Sequence, residues 1–199
     1  MADERTIRAF LAVEPPAEVR EAIGRIQGRL QRLIRGELKW VRPEAIHLTL
    51  KFFGDIPEGA IAGIAAAVEP AAAREAPMTF AIGRAGVFPD QRRPRVLWLG
   101  MEGDVPRLLS LQKRVEGELG TIGFPAEERP FRPHLTLARI KSGRGLTGLE
   151  RAMEKGEGYA AGEFTAAGIG LIRSELTPRG AVYTRLKWFP FAKGDGETD

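Results

Sequence analysis

The chain holds two histidines, and each opens the same tetrapeptide: His47-Leu48-Thr49-Leu50 and His134-Leu135-Thr136-Leu137. Histidine is the side chain whose ordinary pKa lies closest to neutrality, so two of them can share proton donation and proton uptake. On an extended strand, residues i and i+2 point to one face, which sets each imidazole beside a threonine hydroxyl. Two such pairs facing each other would make a nearly symmetric site for a small anionic group. An isolated His-x-Thr is a cheap pattern, equally at home in a purely structural strand. Two copies that use every histidine of the chain point to chemistry instead.

Other chemistries find less support. No Gly-x-Ser-x-Gly occurs, and Ser110, Ser142 and Ser174 have no neighbouring histidine, which disfavours a nucleophilic triad. Two imidazoles without a His-Glu-x-x-His spacing or a carboxylate cluster are too few ligands for catalytic zinc. Cysteine is absent, so there is no thiolate nucleophile, disulfide frame or cysteine-based metal site. The expectation is acid–base catalysis on phosphorus with neither metal nor cofactor. One histidine takes the proton of an attacking water while the other protonates the leaving oxygen, roughly in line across the phosphorus. The threonine hydroxyls donate to the non-bridging oxygens as charge develops there.

The elements that must position these groups can be read from periodicity. Residues 6–13 form a strand with Ile7, Ala9, Leu11 and Val13 on one face and Arg8 and Phe10 on the other. Pro15-Pro16 opens a helix whose apolar positions Val19, Ile23, Ile26, Leu30 and Leu33 recur at spacings of three and four. The first motif strand covers 46–53 and ends at Gly54-Asp55. In it Ile46, Leu48, Leu50 and Phe52 face the core, and His47, Thr49 and Lys51 face away. A small-residue helix follows over 57–73, then a strand over 78–82. The second half repeats the order: strand 95–99, helix 106–119 with Leu108, Leu111, Val115 and Leu119 inward, motif strand 133–140, and short helix 146–155. In that motif strand Leu135 and Leu137 are inward, while Arg132, His134 and Thr136 share the other face. Strands 164–166, 168–174 and 181–189 complete the pattern, the last two joined by a turn at Thr177-Pro178-Arg179-Gly180.

The motifs lie 87 residues apart (134 − 47), and both halves share the order strand, helix, His-strand, helix, strand. The favoured architecture is α+β: a bilobal duplicated fold, two antiparallel sheets facing across a central groove with helices outside. It forms a single domain over 1–192 with pseudo-repeat halves of roughly 5–85 and 92–175, and a disordered tail at 193–199. Residues 86–94 read as a loop between lobes. Their Asp90-Gln91-Arg92-Arg93 is within reach of a substrate, although an ordinary exposed loop explains it as well.

At 199 residues, 43% hydrophobic and 28% charged, the chain is ordinary for a globular protein with a real core. A net charge of +4, carried mostly by arginine, favours a nucleic acid or nucleotide partner. The charged start and the lack of a long apolar run lead us to expect a cytoplasmic protein with no membrane association.

The residues resemble the two-histidine (2H) phosphoesterases, specifically the bacterial and archaeal RNA 2′,3′-cyclic phosphodiesterases, also described as 2′-5′ RNA ligases. The resemblance spans nearly the whole chain. It is carried by Arg8-Ala9-Phe10-Leu11-Ala12-Val13, Lys39-Trp40-Val41-Arg42-Pro43, His47 to Gly54, Phe131 to Arg139 and the hairpin from Ser174 to Tyr183. It implies His47 as general acid, His134 as general base, and Thr49 and Thr136 as phosphate holders. It also implies Arg139 as a phosphate contact and Phe10 as a face for base or ribose. Phe10 has the right parity for that role. Simple alternation puts Arg139 with Leu135 and Leu137, so a bulge after Thr136 is needed; Arg132 has the right parity and is the alternative.

The implied substrates are RNA ends or cyclic nucleotides, and the implied reaction opens a terminal 2′,3′-cyclic phosphate to a 2′-phosphomonoester in a monomeric enzyme. A 2′-5′ ligase or 2′-5′ phosphodiesterase would use the same site. A non-catalytic nucleotide-binding module and a purely structural domain are the rivals from other classes. Turnover of a 2′,3′-cyclic mononucleotide discriminates the first, and the effect of histidine substitutions on ligand binding the second.

Overall fold

The structure is a computed structural model and describes residues 5–154, 158–178 and 180–192. The expected tail at 193–199 lies outside them. In chain order the elements are β1 (Thr6–Val13), α1 (Ala17–Leu33), β2 (Leu38–Trp40), a 3-10 turn (Pro43–Ala45), β3 (Leu48–Pro57), α2 (Ala60–Ala72), β4 (Met78–Phe88) and β5 (Val96–Gly103). There follow α3 (Val105–Thr121), β6 (Leu135–Ile140), α4 (Leu149–Glu154), β7 (Gly162–Ala166), β8 (Gly168–Thr177) and β9 (Gly180–Pro190).

The strands form two antiparallel sheets, ordered β3-β1-β8-β9 and β2-β6-β5-β4-β7. The sheets interleave the two halves of the sequence: β1 and β3 pair with the last hairpin, whereas β2 and β4 join β5, β6 and β7. The core follows the periodicity. Val19, Ile23, Ile26 and Leu30 of α1 and Leu108, Leu111, Val115 and Leu119 of α3 are buried with Ile7, Ala9, Leu11 and Val13 of β1. Phe10 and Ala12 point the other way and form a second, small cluster with Ile172 and Tyr183. The first sheet is therefore covered by apolar side chains on both faces where the first motif lies. Gln27, in the middle of the buried face of α1, donates to the carbonyls of Val41 (2.7 Å) and Leu137 (3.0 Å), tying α1 to the segment before the first motif and to the last residue of the second. Among the described residues no helix is long and apolar enough to cross a membrane.

Three expected boundaries differ. Both histidines precede their strands, β3 starting at Leu48 and β6 at Leu135. β3 does not end at Gly54-Asp55 but pairs with β1 as far as Pro57. Gly54, at φ +73°, takes a left-handed conformation that a side chain would disfavour, and the register shifts beside it without the strand breaking. The expected 86–94 loop is shorter, because β4 runs through Phe88, which pairs with Val96; residues 89–95 connect β4 to β5 within one sheet.

Candidate active site

Both histidines are held by the same local device. The 3-10 turn at Pro43–Ala45 brings the carbonyl of Ala45 to 2.9 Å from His47 Nδ1, and the carbonyl of Arg132 lies 2.6 Å from His134 Nδ1. A carbonyl can only accept, so each Nδ1 carries the proton and the lone pair of each neutral imidazole lies on Nε2. Ring packing completes the hold. His47 stacks on Phe10 with centroids 4.4 Å apart and meets Tyr183 edge-on at 5.2 Å. His134 meets Phe88 edge-on at 4.9 Å.

The strands after the histidines bulge at the same place. In β3, Thr49 pairs with Ala12 and Lys51 with Leu11, leaving Leu50 without a partner in the register. In β6, Thr136 pairs with Trp98 and Ala138 with Leu97, leaving Leu137 out. Each bulge reverses the alternation of faces downstream. Leu50 and Lys51 are both buried, as are Leu137 and Ala138, and the next residues, Phe52 and Arg139, are exposed. Arg139 thus joins the face of Thr136, through the bulge that the resemblance required. Lys51 does not share the histidine's face, contrary to the alternation count. The bulge turns it inward, where it is 5% exposed and its Nζ donates to Glu116 (2.9 Å) and to the carbonyl of Pro125 (2.6 Å).

Two kinds of contact bring the motifs to one place. β3 and β6 touch directly. The positive charge of Arg139 acts on both His134 and Tyr183, and Tyr183 is the ring that meets His47. Burial lowers the pKa of both histidines below the ordinary value, and the backbone carbonyl contacts partly oppose it. The remaining charges differ in sign. Glu14 favours the protonated form of His47, whereas Arg139 disfavours that of His134. Glu14 is itself fixed by Arg185, whose Nη2 and Nε lie 2.7 and 2.9 Å from the same carboxylate oxygen. Burial raises the pKa of Tyr183, against the charges of Arg139 and Arg42, so it remains a neutral hydroxyl near neutrality.

The other expected site residues fall as follows. Thr49 and Thr136 are half-buried, each the second residue of the strand that follows its histidine. Arg132 is exposed, its guanidinium 6.0 Å from the Phe88 ring centre. Phe10 is 3% exposed, with the imidazole of His47 over it and Tyr183 at its edge; the face expected for a base or ribose is covered, and Phe10 supports His47. Sequence reading missed Tyr183, Glu14 and Phe88. Tyr183 could have been found, since it lies in the hairpin that carries the resemblance; Glu14 and Phe88 have no local signal. Among the described residues no three His, Asp or Glu side chains are grouped to hold a metal ion.

Paired antiparallel sheets, each framed by a His-x-Thr, match the bilobal frame that the resemblance to two-histidine phosphoesterases implies. The family described as "LigT like Phosphoesterase" matches the chain twice, over residues 13–98 and 99–183, one match to each motif. The RNA 2′,3′-cyclic phosphodiesterase of Methanothermobacter thermautotrophicus is 38% identical over 92% of this chain and 98% of its own length. The protein of that name from Thermus thermophilus is 36% identical over 96% of this chain and 98% of its own. The crystal structure of TT0787 of Thermus thermophilus superposes with a TM-score of 0.75 at 32% identity, covering 94% of this chain and 99% of that one. E. coli LigT complexed with 3′-AMP shares the fold, with a TM-score of 0.74 at 24% identity over 95% of this chain and all of that one. The chain belongs to the LigT-like phosphoesterase family.

Proposed function

We propose that this chain is an RNA 2′,3′-cyclic phosphodiesterase that hydrolyses a terminal cyclic phosphate to a 2′-phosphomonoester. The observation that carries the reading is the pair of imidazoles, each pinned through Nδ1 to the carbonyl two residues before it, so that Nε2 carries the lone pair. The relatives named for this activity, alike over almost their whole length, support it.

In the reaction His134 is the general base. The positive charge of Arg139 favours its neutral form, whose Nε2 takes a proton from water as the water oxygen bonds to phosphorus. His47 is the general acid, assisted by the carboxylate of Glu14. As the bond from phosphorus to the 3′-oxygen breaks, the proton on His47 Nε2 passes to that oxygen, which leaves as the 3′-hydroxyl. The phosphate stays on the 2′-oxygen. One proton is taken up and one released, and exchange with solvent resets the pair. Thr49 and Thr136 donate to the non-bridging oxygens, and Arg139 offsets the charge gathering there. With the 5′-hydroxyl of a second RNA in place of water, the same two transfers would form a 2′-5′ linkage. Every group belongs to one chain, so a monomer suffices.

The test is product analysis on an RNA oligonucleotide ending in a 2′,3′-cyclic phosphate. The 2′-phosphate is the expected product, at a rate that survives a chelator. Tight binding without turnover would instead establish a nucleotide-binding module.

A further inference from the structure

Beside the second motif the sheet carries a cavity of about 580 Å³, lined by Arg84, Gly86, Asp90, Gln91, Trp98 and Met153 among others. Its position follows from the strand register. Trp98 pairs with Thr136 on one side and with Gly86 on the other, and directly paired residues share a face. At about 4.8 Å per strand, the backbone of the lining begins about 5 Å from Thr136, at Trp98, and reaches Gly86 at about 10 Å. β7 pairs with β4 only from Met78 to Ile82, so it does not cover the stretch of β4 that borders the cavity.

Two glycines make a bed for the indole. A Cβ on Gly86 would overlap the six-membered ring of Trp98, and one on Gly100 would come within 3.3 Å of it. Trp98 can therefore lie flat across its neighbour strand. Phe88 packs on it at 4.9 Å and touches His134 at the same separation. Its indole N–H is buried and finds no hydrogen-bond partner among the described residues, an uncommon state for a donor.

The rim of the cavity is polar. Asp90 Oδ1 accepts from the backbone N–H groups of Arg92 and Arg93 (2.8 and 3.0 Å), which folds the loop around Gln91. The amide of Gln91 offers both donors and an acceptor. Arg84 sits at φ +54°, at the point where the β4–β5 register skips a residue, and adds a guanidinium. A flat aromatic surface, an amide able to pair with a heterocycle's edge, and arginine for phosphate are what a single-stranded nucleic acid requires.

We propose that this cavity holds the base of the nucleotide preceding the cyclic-phosphate end, so that the protein recognises an RNA chain and not a lone terminal nucleotide. The inference rests on the RNA-end reading above, and the experiment separates the two. In a Trp40→Phe, Trp188→Phe protein, Trp98 is the only tryptophan, and its fluorescence reports a base stacking on it. The dinucleotide ApA 3′-phosphate is expected to quench it and to bind about tenfold more tightly than 3′-AMP. In turnover by the unaltered protein, the dinucleotide ending in a 2′,3′-cyclic phosphate should show a KM about tenfold below that of the cyclic mononucleotide. Trp98→Leu should bring that ratio close to one, and Gln91→Ala, on an exposed loop, should reduce it without a question of folding. Turnover of both substrates with equal KM and no quenching would overturn the subsite and leave the RNA-end reading standing. Quenching and chain preference in binding without turnover would overturn the catalytic reading and uphold the subsite. A chain preference untouched by both substitutions would overturn its assignment to this cavity.

Discussion

The two motif regions are built alike and charged differently. Each histidine donates through Nδ1 to the carbonyl two residues before it, and each following strand bulges at the fourth residue of the motif. Around His47 lie Phe10, Tyr183 and the carboxylate of Glu14, whereas around His134 lie Phe88 and the guanidinium of Arg139. Equal geometry gives both imidazoles the same tautomer, with the lone pair on Nε2. The neighbouring charges are unequal: Glu14 opposes the lowering of the His47 pKa by burial, and Arg139 adds to that of His134. The repeated motif thus supplies a common frame, and on the proposed mechanism a few side chains outside it would divide the labour.

The hardest way to break this comparison is to remove either imidazole. His47→Ala and His134→Ala should each lower kcat by about 10²–10⁴-fold, measured on an RNA ending in a 2′,3′-cyclic phosphate. The double variant should lose far less than the product of the two, because the pair acts as a unit. A His47→Ala protein with near-normal turnover would remove it from the role of acid.

The residues at and after the two bulges sharpen the contrast between frame and site. Lys51→Ala leaves Glu116 buried without its partner and should cost about 3–5 kcal/mol in chemical denaturation. Arg139→Ala should leave the unfolding midpoint almost unmoved and lower kcat by about 10²–10³-fold. If the two swapped effects, Lys51 would belong to the site and Arg139 to the frame. Smaller still are the hydroxyls: Thr49→Ala and Thr136→Ala should each cost about tenfold in kcat/KM.

Much of this was legible before any coordinates. The alternation in β1 assigned Ile7, Ala9, Leu11 and Val13 to the core and Phe10 to the other face. Counting failed one step further on. Leu50 and Leu137 look like any inward strand residue, and only the partner strand's register leaves them unpaired, so Lys51 was assigned to the wrong face. For Arg139 the bulge could be postulated from the resemblance, not from the residues. Glu14 and Tyr183 escaped because their contacts are long-range: β9 delivers Tyr183 to Phe10 and His47, and Arg185 of the same strand orients Glu14. The burial of Phe10 under an imidazole is equally invisible to periodicity.

The smallest predicted effect concerns the charges alone. On the proposed mechanism the rate requires His47 protonated and His134 neutral, so a bell in pH is expected, whose limbs belong to the coupled pair. Glu14→Gln removes a charge that raises the pKa of His47, and the optimum should move to lower pH. Arg139→Gln removes one that lowers the pKa of His134, and the optimum should move to higher pH. Shifts in the same direction would erase the distinction between the two regions.

Because the chain has only two histidines, nitrogen NMR of the protein labelled with ¹⁵N-histidine reads both imidazoles without ambiguity. The spectrum reports tautomer and titration together. Both rings are predicted to carry the neutral-state proton on Nδ1 and to titrate below the ordinary value of about 6.5. A proton on Nε2 of either ring, or a titration above that value, would contradict the claim that the fold pins two free Nε2 atoms for acid–base work.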